Sequence, residues 1–176
     1  YEERAALLAK AEAYDSGMLA ELAAVGGAKY ATMCALAYRQ ALASTKVTWN
    51  EELGTAELFL KEISSNGDMQ TADVIFPASP AFLYANPRLL EMLLAPLLRY
   101  ANNETSVVYT EPFSPHEIGV YPIADHTTRQ QEKMPMENTG NLFLMIRAIT
   151  RANGGDTSFF YPKYWRVLSS WADYLA

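Results

Sequence analysis

The chain has 176 residues, enough for one domain with a substantial core. Half of the residues are hydrophobic and 19% are charged, which argues against intrinsic disorder. Fourteen Lys and Arg stand against twenty Asp and Glu, a formal net charge of -6, and no Lys/Arg run occurs, so no nucleic-acid partner is expected. The longest apolar stretch, 89–98, is broken by Glu91 and Pro96 and is too short for a membrane span. The single Cys34 excludes an intrachain disulfide and a Cys-based zinc site. In the row Tyr30, Met33, Cys34, Ala37, Tyr38, Ala41 it reads as a small core hydrophobe.

Leu7, Leu8, Ala11, Tyr14, Met18, Leu19, Leu22 and Val25 recur at three- and four-residue spacing and predict an amphipathic helix ended by Gly26-Gly27. A second helix is expected from about Ala28 to Ser44, and the two should form a helical hairpin. The period then changes. Thr45–Trp49 alternates, Asn50–Gly54 reads as a turn, and 56–63 is the returning strand of a small β-hairpin inserted on a helical scaffold. Ser64–Asp68 is a loop by composition. Val74–Pro77 and Ala81–Tyr84 read as short apolar pieces punctuated by Pro77 and Pro80.

Asn86-Pro87 opens a helix to about Ala101 that is apolar nearly all round and should be buried on more than one side. Asn103-Glu104-Thr105 is a glycosylation sequon, a weak hint of secretion. Thr110–Pro135 shows no helical period and carries both histidines, His116 and His126; loops this long in compact domains are usually functional or flexible. Helices are expected again over 138–153 and 157–175, the last with Trp165, Leu168, Trp171 and Leu175 at core spacing. The chain opens at Tyr1 and closes at Ala176 inside helical patterns, so residues 1–176 are expected to be an excised segment of a longer protein.

Several strings carry more than periodicity: Ala37–Gln40, Phe59–Asp68, Thr71–Pro77 followed by Pro80 and Phe82–Tyr84, Pro115–Pro122, Met134–Asn141 and Trp171–Leu175. In this order they resemble the central six-hairpin domain of the fungal and bacterial glutaminase A family. The resemblance implies a mainly all-α fold: part of an (α/α)6 six-hairpin toroid with a small β-hairpin insertion. About a dozen helices are needed for such a ring, at ~10–14 residues each, so this chain would supply only some of the hairpins. The resemblance further implies a secreted or cell-envelope parent with other domains, and hydrolysis of L-glutamine to L-glutamate and ammonia. Two departures stand out. The family's His-Asp after proline is here His116-Glu117, and its two adjacent carboxylates after Met-Pro are here Glu137-Asn138. If the first carboxylate carries chemistry, Glu137 retains it; if the second does, this member is altered.

The resemblance makes Glu137, His116 and Glu117 the catalytic candidates, acting through a carboxylate-activated water. Glu137 would equally serve as a capping acid at a helix start, and His116 as a loop histidine bonded to backbone. His116 is preferred to His126, which has no motif around it. Arg39, with Gln40 beside it, suits a substrate carboxylate, although an ion pair with Asp73 is the plainer reading. Asn66, Asp68, Asp73 and Asn141 complete the substrate-binding set; Asn66 and Asp68 also fit a simple Asn-Gly turn. No Ser-x-x-Lys is present, so a serine-type glutaminase mechanism is unsupported; no His-Glu-x-x-His, Gly-rich phosphate loop or helix–loop–helix calcium loop occurs either, and neither a cofactor nor a metal is expected. Two alternatives remain open: a glycoside hydrolase on the same toroid, with Glu117 and Glu137 as acid and base, and a structural portion without activity. The small-molecule partner is accordingly glutamine or a sugar.

Overall fold

A computed structural model describes residues 3–63, 65–105, 108–124 and 134–176. The chain divides into two compact units, Tyr1–Ala43 and Ser44–Ala176.

The first unit is one helical element, α1 (Arg4–Ala43), rich in the strong helix formers Ala and Leu. Gly27 interrupts it with φ 82° and ψ 176°, a conformation open essentially only to glycine. The chain folds back there. The phenol oxygens of Tyr14 and Tyr38 lie 3.0 Å apart, with ring centroids at 6.5 Å. In a straight helix those two residues would be roughly 36 Å apart. The expected helical hairpin and its glycine break are therefore present. Its expected core is not: Ala31 is the buried residue of α1, whereas Leu7, Leu8, Val25, Met33 and Leu36 are exposed. Cys34 is half-buried beside Tyr30, not in a core. Two helices packed along one seam leave their outer faces in solvent, and periodicity alone does not say which faces find a partner.

The second unit begins with strands β1 (Thr45–Asn50) and β2 (Thr55–Leu60), an antiparallel hairpin pairing Thr45 with Leu60 and Asn50 with Thr55. Helices α2 (Ala72–Ala85), α3 (Pro87–Ala101), α4 (Pro135–Ala152) and α5 (Trp165–Leu175) follow. α3 packs against β2, α2 and α4, and α2 also packs on α4. Leu90, Leu93, Leu94, Leu97 and Leu98 of α3 are all fully buried, as its all-round apolar pattern predicts. Each contributes about 1.5–3 kcal/mol by leaving water. A buried ion pair fastens β2 to this helix: Arg99 Nη2 donates to Glu57 Oε2 at 2.8 Å, and Asn50 Nδ2 reaches the same oxygen at 3.0 Å. Asn86 caps α3 by accepting from Arg88 N at 3.0 Å.

Two expectations change. The pieces around Pro77 and Pro80 form the continuous helix α2. Pro80 has no N–H for the Phe76 carbonyl, and Ser79 Oγ donates to that oxygen instead at 2.7 Å. The last helix starts at Trp165 rather than 157, because 158–164 run as successive turns through Pro162. Trp171 is buried as expected, but Trp165 is 54% exposed and borders an apolar groove between α4 and α5 with Phe143, Ile146 and Leu168. No helix among the described residues is long and apolar enough to cross a membrane.

Residues 67–72 hold the second unit together. On one edge Gln70 N donates to Leu60 O at 2.9 Å, and Glu62 N donates to Asp68 O at 2.8 Å. On the other, Met69 N donates to Gly119 O at 2.7 Å, Ile118 N to Met69 O at 3.0 Å, and Tyr121 N to Gly67 O at 3.1 Å. Gln70 is fully buried at φ 60°. Its Oε1 accepts from Leu60 N at 2.5 Å, and its Nε2 donates to Leu58 O at 3.2 Å and to Leu93 O in α3 at 2.5 Å.

Gln70→Ala strands these buried groups and should lower stability by on the order of 3 kcal/mol in urea unfolding, whereas Gln40→Ala on exposed α1 should change it by less than about 0.5 kcal/mol. Gly27→Ala should weaken the hairpin by about 1–3 kcal/mol in hydrogen exchange of 4–43. Gly17→Ala, whose added Cβ meets open space, should stabilise the same helix slightly.

Candidate functional site

The doubly paired strip sets the geometry of the His116 loop. Ala72 N, at the start of α2, donates to His116 O at 2.8 Å, and Asp68 bridges Val120 in antiparallel sense. Gly119 at φ 125° lets the loop turn while its carbonyl receives Met69. From the other side, Thr139 in the first turns of α4 accepts from Ser114 N at 3.0 Å and donates to Pro135 O at 2.6 Å. Residues 114–116 are thus tied to the N-terminal ends of both α2 and α4.

This brings four of the sequence candidates together. His116 Nδ1 meets Glu117 Oε2, and His116 Nε2 lies 3.4 Å from Asp73 Oδ1. His116 is 6% exposed and Glu117 fully buried, while the Asp73 side chain keeps 28% exposure. Asp68, 2% exposed, joins them: one donor atom from each of Asp68, His116 and Glu117 lies within 4.8 Å of the other two. Asn66 is exposed and braces this carboxylate, donating from Nδ2 to Asp68 Oδ2 at 2.5 Å and accepting from Asp68 N at 2.9 Å. The turn that composition suggests for Asn66-Gly67 is real, and it delivers Asp68 inward.

The remaining candidates divide between the two units. Arg39 and Gln40 are exposed residues of the first unit. Glu137 is exposed in the first turn of α4, where the helix end favours a carboxylate, and Asn138 beside it is fully buried. Of the two positions that the resemblance singles out, the second is therefore the buried one. Asn141 is buried one turn further along α4. His126 lies outside the described residues. The Asn103 side chain is occupied, donating to Tyr109 O at 3.1 Å and accepting from Tyr109 N at 2.6 Å, so the sequon amide has a structural job.

Residue periodicity did not single out two tyrosines that border the group. Tyr100, in the last turn of α3, packs its ring 5.4 Å from that of Tyr109, and Tyr109 Oη donates to Phe113 O at 2.8 Å. Burial, with the Glu117 charge adding to it, pushes the Tyr100 phenol up to about 12. Burial also raises Tyr109, followed by Glu111, Tyr100 and Glu117. Tyr100 sits in an apolar helix row, where nothing in the sequence distinguishes it from a core aromatic.

A separate cavity of about 320 Å³ lies between β2, α3 and residues 159–164. Its carboxylates are matched by cations: Glu57 by Arg99, and Glu91 by Arg88 at 2.8 Å. The His116 group instead gathers three carboxylates around one imidazole.

The Tyr100 phenol titrates near 10 when unfolded and about 12 when folded, so the unfolded chain loses its proton first as pH rises. Its contribution to stability is complete below pH ~10 and is lost as pH rises through ~12. Urea midpoints taken across this interval should fall, and less steeply in Tyr100→Phe.

The sequence pattern of the glutaminase A six helical-hairpin domain matches residues 27–176. Over 154 residues the chain is 39% identical to Glutaminase A of Aspergillus oryzae, covering 85% of this chain and 21% of that protein. Over 158 residues it is 41% identical to an Arthroderma benhamiae protein named "Probable glutaminase/05536", covering 84% of this chain and 17% of that protein. The chain therefore spans about a fifth of the length of these relatives. No solved structure matches it.

Proposed function

The chain belongs to the glutaminase A six-hairpin family, and we propose that it supplies part of the active site of an amidohydrolase converting L-glutamine to L-glutamate and ammonia. The observation that carries this reading is the His116 imidazole set between two carboxylates, Glu117 at Nδ1 and Asp73 at Nε2. Glu117, fully buried, orients the ring. Asp73 is the member that keeps exposure, so it is the carboxylate that substrate and water reach.

On this reading Asp73 takes a proton from water as the oxygen attacks the side-chain amide carbon. His116 Nε2–H then protonates the departing nitrogen, which leaves as ammonia. The inward faces of α4, including Asn141, would border the substrate, and Glu137 would stand at the rim. The names of the two relatives support the substrate. The remaining domains of a longer protein, secreted or held in the cell envelope, would complete the site.

Glutamate release from L-glutamine should be measured with the full-length protein beside His116→Ala and Asp73→Asn. Each variant should lose about 100-fold or more in kcat with its circular dichroism unchanged. Full turnover in both would overturn the assignment. A well-folded parent that is inert on glutamine but active on glycosides would move the same residues to the glycosidase reading.

A further inference from the structure

We propose that Asp68, His116 and Glu117 form a binding site for a divalent transition-metal ion of the zinc or manganese type. The three residues come from two segments distant in sequence, and the paired strip brings them together. Ligand atoms held about 2.0–2.2 Å from one ion are at most roughly 4.4 Å apart, close to the 4.8 Å within which these donors fall. One imidazole and two carboxylates form a mixed nitrogen and oxygen set, which suits zinc, manganese or ferrous iron better than calcium or magnesium.

Two further features point the same way. A metal-bound histidine characteristically presents its second ring nitrogen to an outer carboxylate, and Nε2 of His116 has one within reach. The carboxylate facing Nε2 is Asp73, whose buried Oδ1 lies 3.4 Å from it, within ion-pair reach but not hydrogen-bonded to it. This leaves Nδ1, on the Glu117 side, as the ligating nitrogen. The second feature is burial. Asp68 and Glu117 are both nearly or fully removed from water, where carboxylates persist only with polar or cationic partners, and one bound cation would serve both at once. Asn66 orients the Asp68 carboxylate from outside.

The proposal concerns the site itself and does not depend on the substrate. The full-length protein, stripped with chelator, is titrated with cobalt chloride and followed by visible absorption. One equivalent should give ligand-field bands, and zinc chloride should displace them and raise the Tm. His116→Ala should abolish the bands. Asp73→Asn removes only the outer carboxylate at a part-exposed position and should weaken cobalt binding by about 10–100-fold.

Absence of bands and of any Tm shift at millimolar cobalt in the folded wild type would overturn the proposal. So would cobalt affinity unaltered in Asp73→Asn and His116→Ala. Glutamine turnover by protein shown to be metal-free would leave the functional reading standing but sink a metal role in it. Cobalt binding in a protein inert on glutamine would do the reverse.

Discussion

Residues 67–72 are paired along both edges at once. One edge takes its partners from the end of β2, the other from the loop that carries His116. A segment so confined cannot slide by one residue without breaking both ladders and reversing its side chains. Gln70 reinforces the register. Its side chain satisfies a β2 amide, a β2 carbonyl and an α3 carbonyl from a fully buried position, so the helix layer and the hairpin share one anchor. The positive φ at Gln70 persists because the surrounding hydrogen bonds determine it from several directions.

The site follows from that register. Fixing Asp68 opposite Val120 and Ala72 opposite His116 leaves little freedom for the intervening carboxylates and imidazole. The ends of three helices meet there: the starts of α2 and α4, through the 114–116 loop, and the last turn of α3, through Tyr100. Helix starts favour nearby negative charge, consistent with Asp73 and Glu137 in the first turns of α2 and α4. A hydrolytic reading and a metal-binding reading both draw on this concentration of carboxylates around a single histidine. They differ in which cation balances it, proton or metal.

Several departures from expectation share one physical theme: local signals are rewritten by what lies beside them. Pro77 and Pro80 look like breaks, yet α2 continues because Ser79 serves the carbonyl that Pro80 cannot. Trp165 sits at core spacing but lines an open groove, since α5 buries a narrower stripe than its apolar residues would allow. The α1 hairpin has the periodicity of a buried pair but covers little beyond Ala31. A six-hairpin domain is built from repeated helix pairs whose faces are covered by neighbouring pairs, so apolar faces on one pair are expected to outnumber its own internal contacts.

The sequence by itself determined the helical hairpin and its break at Gly27, the β1–β2 turn, the span and all-round burial of α3, and the family to which the chain belongs. These depend on residue order over short windows: 3.6-residue and two-residue periods, glycine at a positive φ, Asn-Pro at a helix start, and ordered motifs. It also marked His116, Glu117, Asp68 and Asp73 as candidates, but from separate strings. Only the tertiary structure decided that these four share one site, that Asn138 rather than Glu137 faces inward, and that Tyr100 and Gln70 belong to the same framework. Such facts rest on pairing between segments far apart in the chain, and no local period records which strand edge will meet which loop.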